Sequence, residues 1–94
     1  MPPPTRYKLS FTVPPSSLST CKSALFAAGA GTHPGGKYTH VSFETTGVGQ
    51  FKPCEGAVPN LGEVGRLERV EEMRCEVLCV GEEVMRAAVG ELKR

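Results

Sequence analysis

The sequence predicts an α+β sandwich: an antiparallel sheet with two helices on one face. Three observations predict it. Tyr7–Val13 and Met73–Cys79 alternate apolar and polar residues with period two, as half-buried strands do. Two other stretches, roughly 16–28 and 82–93, repeat apolar residues at helical spacing. The order is strand, helix, strands, strand, helix, which is most of a β-α-β-β-α-β unit. The 94 residues amount to one domain, 6–94, behind a proline-rich tail at 1–5.

The elements follow in chain order. In "YKLSFTV", Tyr7, Leu9, Phe11 and Val13 share one face, and Pro14 and Pro15 end the strand. Ser16 or Ser17 suits a helix N-cap. Leu18, Cys21, Leu25 and Phe26 then form the buried side of a helix that Gly29 stops. "GAGTHPGG" is a turn. "KYTHVSFETT" has strand character, and Gly47 and Gly49 predict a hairpin from about 38 to 53 with "QFKP" returning. Residues 54–63 read as an ordered loop, and "EVGRLERV" as a short strand. In "EMRCEVLCV", Met73, Cys75, Val77 and Cys79 oppose Arg74, Glu76 and Leu78. Gly81 breaks that strand. Val84, Met85, Ala88, Val89 and Leu92 form the apolar stripe of the last helix. Glu82 and Glu83 at its start, with Lys93 and Arg94 at its end, suit its dipole. A closing strand is expected next, and an uncovered sheet edge is a ready site for association.

Composition narrows the function. The net charge of +1 gives no electrostatic case for nucleic acid or a membrane surface. No apolar run approaches the ~18 residues of a membrane span, and no leader is legible behind "MPPP". A cytoplasmic location with four free thiols is the expectation. There is no Asp, so a Ser-His-Asp set is excluded.

The glycines around 29–37 do not make a phosphate loop. Lys37 is followed by Tyr38, and the segment leads from helix to strand rather than strand to helix. Cys75 and Cys79, four apart on a strand, lie roughly 13 Å from each other, too far to share a bond or an ion. They read as buried thiols, Cys21 as helix core, and Cys54 as the candidate reactive thiol. His33 and His40 are the only histidines. With Glu44 they form a candidate divalent-metal set that a second subunit would have to complete. Arg66, Glu68, Arg69, Glu71, Glu72 and Arg74 form a mixed-charge stretch suited to surface pairing or a subunit contact.

Gly47–Glu68 holds five glycines and two prolines in 22 residues. Its pattern is G-x-G-x-F-x-P…G…P-x-x-G-x-x-G-x-x-E. It is carried by Gly47, Gly49, Phe51, Pro53, Gly56, Pro59, Gly62, Gly65 and Glu68. With "AGAG" before it and "EEMRCEV" after it, the stretch resembles the CutA-like, PII-like domain of the NGG-one-interacting-factor-three (Nif-three-like) family. The resemblance covers nearly the whole chain after residue 5. It implies a ferredoxin-like fold that builds trimers or larger assemblies. It also implies that the family's two-metal site, tied to a GTP cyclohydrolase label, lies in flanking domains, so none of its ligands carries over. Two departures stand out: "THPGG" replaces a short turn, and the family's H-P-Y-E-E-P-x-Y strand does not follow the last helix.

The expectation is a non-catalytic oligomerising module that takes a small molecule or a metal ion. Lys52, Glu55 and Glu68 are the candidate ligand contacts, with Phe51 and Leu61 as anchors. The alternative is a small metal-dependent hydrolase-type enzyme using His33, His40 and Glu44 across subunits. A thiol-based redox or copper-handling protein is a third reading.

Overall fold

A computed structural model describes residues 3–59 and 62–93. Leu61 and Arg94, and with them the expected anchor and dipole roles, lie outside the described residues. The elements are β1 (Arg6–Val13), a 3-10 turn (Pro15–Ser17), α1 (Leu18–Ala27), β2 (Phe43–Phe51), β3 (Glu68–Val80) and α2 (Glu82–Leu92). The sheet order is β1-β3-β2, with β3 antiparallel to both neighbours.

The period-two reading of β1 and β3 holds residue by residue. Phe11 lies opposite Cys75, Leu9 opposite Val77 and Tyr7 opposite Cys79. All six therefore face the same way, toward the helices. Cys75, Val77 and Cys79 form a buried core with Leu18, Leu25, Ala30 and Ala88. α1 ends as its sequence suggests. The Gly29 N–H donates to the Phe26 carbonyl and the Ala30 N–H to the Leu25 carbonyl, each at 3.0 Å. With Gly29 at φ 99° this is a Schellman cap, and Ala30 and Leu25 supply its apolar contact. The helix begins later than expected. Ser17 holds the N-cap position without a side-chain hydrogen bond, because Pro15–Ser17 first makes a 3-10 turn.

The hairpin expected at 38–53 does not form. Phe43–Phe51 is one uninterrupted strand, paired from Phe43 opposite Glu76 to Phe51 opposite Glu68. Two-residue hairpins need positive φ at the turn. The positive-φ glycines are 29, 31, 35, 36, 56, 62, 65 and 81, so Gly47 and Gly49 are not turn residues. They leave a bare patch on the sheet: a Cβ on Gly49 would lie 2.7 Å from Glu72 Oε1. The strand expected within "EVGRLERV" is likewise only the start of β3, from Glu68.

Residues before Phe43 are loop, held from both ends. The Gly31 N–H donates to the Leu78 carbonyl at 2.8 Å, and the Val41 N–H donates to the Gly31 carbonyl at 2.9 Å. The turn thus docks on β3 just beyond the end of β2.

The pairings place the site. β1 stops opposite Met73, whereas β2 follows β3 down to Glu68. Glu68–Glu72 and Gly47–Phe51 therefore form a two-stranded ribbon beyond the third strand, with residues 52–59 and 62–67 at its tip. The molecule is long for its size, 53 × 23 × 19 Å. No helix among the described residues is long and apolar enough to cross a membrane.

Candidate ligand cavity at the ribbon tip

Alternation puts Phe51, Val70 and Glu72 on the sheet face opposite the helices. Pro14 ends β1 beside them, and the loop after Phe51 curls back over the same face. Between loop and ribbon lies a cavity of about 560 Å³, open on one side. Pro14, Phe51, Pro53, Val58, Pro59 and Val70 make most of its wall, and Lys52, Cys54 and Glu72 contribute polar groups. That volume falls within the ~300–1,000 Å³ usual for small-molecule sites.

The loop is folded rather than slack. Pro53 is buried, and its carbonyl accepts the Gly65 N–H at 2.6 Å. The Ala57 N–H donates to the Cys54 carbonyl at 2.9 Å, closing a turn around Glu55 and Gly56. Pro53, not Phe51, is the buried anchor: Phe51 is 36% exposed and stands as cavity wall.

The residues expected to bind a ligand separate. Lys52 lines the cavity. Glu55 sits exposed on the turn and is not part of the wall. Glu68 packs against Gly62 and pairs with Arg66 at 3.5 Å. Glu72, read from the sequence as part of a mixed-charge stretch, is the carboxylate that lines the cavity. The misplaced hairpin hid that role, because only the β2–β3 register sets Glu72 against the bare surface of Gly47 and Gly49.

The candidate metal set is dispersed within one subunit. Glu44 accepts a hydrogen bond from Lys22 Nζ at 2.9 Å on the helix side of the sheet. His40, at φ 57°, lies against Phe26 with ring centroids 4.9 Å apart. His33 meets the Tyr38 ring edge-on at 6.2 Å. No group of three or more His, Cys or Glu among the described residues is placed to hold a metal ion. All four cysteines are free; Cys54 is exposed, Cys21 half-buried, Cys75 and Cys79 buried. Burial pushes the Cys75 thiol pKa up, with Glu44 adding to the shift and Lys22 opposing it. Burial alone raises that of Cys79.

Comparison with known proteins places this geometry. No family model matches the chain. A GTP cyclohydrolase 1 type 2 homolog of Bacillus subtilis is 45% identical over 71 residues, 76% of this chain and 18% of that protein. One of Mycobacterium leprae is 46% identical over 66 residues, 70% of this chain and 17% of that protein. The crystal structure of a Bacillus cereus protein related to NIF3 superposes with a TM-score of 0.74 at 34% identity. It covers 97% of this chain and 23% of that one. The chain belongs to the NIF3-like family. It spans about a fifth of the length of the relatives it matches. This NIF3-like chain therefore corresponds to one segment of those proteins, and the ribbon-tip cavity is built wholly within that segment.

Proposed function

We propose that this NIF3-like chain is a non-catalytic module that assembles with copies of itself and takes a small ligand at the ribbon tip. A ferredoxin-like, CutA/PII-like sandwich is the architecture this reading assumes, with a trimer as the expected assembly. The observation that carries it is surface. A folded monomer of 10.0 kDa exposes about 5,200 Å² by the usual scaling, whereas this chain exposes 6799 Å². The excess, roughly 1,600 Å², equals two standard interface patches of ~800 Å² each. A ring, in which every protomer meets two neighbours, covers that amount.

The edges suit such contacts. From Thr45 to Phe51, β2 carries no charge and no proline, the usual guards of a free edge. Phe43, Val48 and Phe51 are 64%, 60% and 36% exposed. Molar mass in solution tests the assembly, and a lone protomer at micromolar concentration overturns it. The name shared by the relatives belongs to much longer proteins, so cyclohydrolase chemistry is not assigned to this segment. The metal-dependent alternative needs ligands from a second subunit beside His33, His40 or Glu44. Stoichiometric metal on untagged protein, lost in His40→Ala, would favour it.

A further inference from the structure

We propose that the ribbon-tip cavity binds a small apolar zwitterion, an amino acid with an aliphatic or aromatic side chain being the simplest such molecule. Its carboxylate meets Lys52 and its ammonium meets Glu72. The proposal rests on the small-ligand reading above and names the ligand class.

Three observations carry it. The wall of prolines, valines and Phe51 offers an apolar body little but dispersion and burial, and Val58 stands 94% exposed with nothing on it. Glu68, Glu72 and Glu76 lie on the same face of β3, four residues apart. Glu68 pairs with Arg66 and Glu76 with Arg74, whereas Glu72 has no hydrogen-bond or ion-pair partner among the described residues. A half-buried carboxylate left without a partner favours a cationic group. Lys52 is also unpaired among the described residues and borders the same cavity. The two do not pair with each other, so a gap separates them that a molecule bearing both charges spans. A phosphorylated or dianionic ligand would answer Lys52 and be repelled by Glu72. A neutral apolar ligand would leave both charges unanswered beside a low-dielectric wall.

The test is a titration of the full chain followed by amide NMR. The probes are leucine and phenylalanine, then 4-methylpentanoate, which lacks the ammonium, and isoamylamine, which lacks the carboxylate. The amino acids are expected to shift the Val58 and Val70 resonances, and each single-charge analogue to bind about tenfold more weakly. Glu72→Gln weakens leucine about tenfold and leaves 4-methylpentanoate unchanged or tighter, since the repelling carboxylate is gone. Lys52→Met weakens leucine and leaves isoamylamine unchanged. The proposal is overturned if no amino acid shifts those resonances, or if one analogue binds as tightly as leucine. It is also overturned if either substitution weakens all probes alike. Binding of one analogue alone would sink the ligand class while keeping the module. No binding by any probe, together with a lone protomer in solution, would remove the underlying reading as well. The unmodified protein decides between analogues even if a variant fails to fold.

Discussion

Gly31 shows how a single residue fixes a loop. It is buried, at φ 78°, and a Cβ there would lie 2.7 Å from the Phe26 ring and 2.9 Å from the Val41 carbonyl. Gly35, at φ 93°, has nothing within 4 Å of the same position. Gly31→Ala is expected to cost about 2–3 kcal/mol in urea unfolding, from backbone strain plus the clash, and Gly35→Ala about 1 kcal/mol from strain alone. Equal losses would refute the docking of this loop on β3. The buried thiols add a pH dependence. Above their ordinary value of 9.0 the unfolded chain ionises Cys75 and Cys79 more readily than the folded chain, where burial raises both. The unfolded state then holds fewer protons, so stability falls as pH rises. The loss begins near pH 9, where the thiols of the unfolded chain ionise first. Stability measured from pH 7 to 10 on the parent and on Cys75→Ala/Cys79→Ala checks this, the variant giving a flatter alkaline limb. At this scale the sequence was informative where chemistry and alternation coincide. The burial of Cys75 and Cys79 follows from strand spacing, and the exposure of Cys54 from its place in the loop. The partners of His40 and Glu44 do not, since Phe26 and Lys22 reach them from α1 across the fold.

The helices and the ribbon differ in how much their own residues decide. α1 stops where local rules stop it, at Gly29 with a Schellman cap. Gly29→Ala is expected to lose about 1 kcal/mol from positive φ, because Val84 at 3.5 Å leaves room for the methyl itself. Gly90 is the counterexample. It lies exposed within α2, with open space where a Cβ would sit, so Gly90→Ala should gain about 0.5–1 kcal/mol. Opposite signs for the two substitutions in one denaturation series are the expected result. The ribbon shows where local rules mislead. Gly47 and Gly49 mark a turn in most strand contexts, yet here they lie in mid-strand, against Glu72 and Val70. The sequence carries no local sign of that, because the pairing joins segments some twenty residues apart. Placing the hairpin there also left Glu72 in a mixed-charge stretch rather than on one side of the cavity.

Length, surface and edges together decide whether the molecule is finished as one chain. A 94-residue domain of ordinary compactness has a radius of gyration of roughly 12 Å, and this one has 16.1 Å. The difference is the ribbon, whose five β3 residues beyond Met73 pair on one side only. Two-stranded ribbons are marginal in water without a third strand or a packed face. The ribbon nevertheless ends in a folded loop with Pro53 buried and its carbonyl bonded to Gly65. A second copy seated on the β2 edge would supply the missing support, reaching Phe43 on one face of the edge and Val48 on the other. A lysine on that edge would bring an unpaired charge into the contact while leaving the protomer core untouched. Val48→Lys is therefore expected to lower the molar mass by light scattering from a multiple of 10.0 kDa to a single chain. The core amides of β3 at Cys75–Cys79 should keep their exchange protection in the separated chain, and those of Glu68–Glu72 should lose it. If Val48→Lys leaves the mass unchanged, the β2 edge is not the contact. If the parent chain is already single and its ribbon amides are protected, the ribbon holds itself and the case for assembly fails.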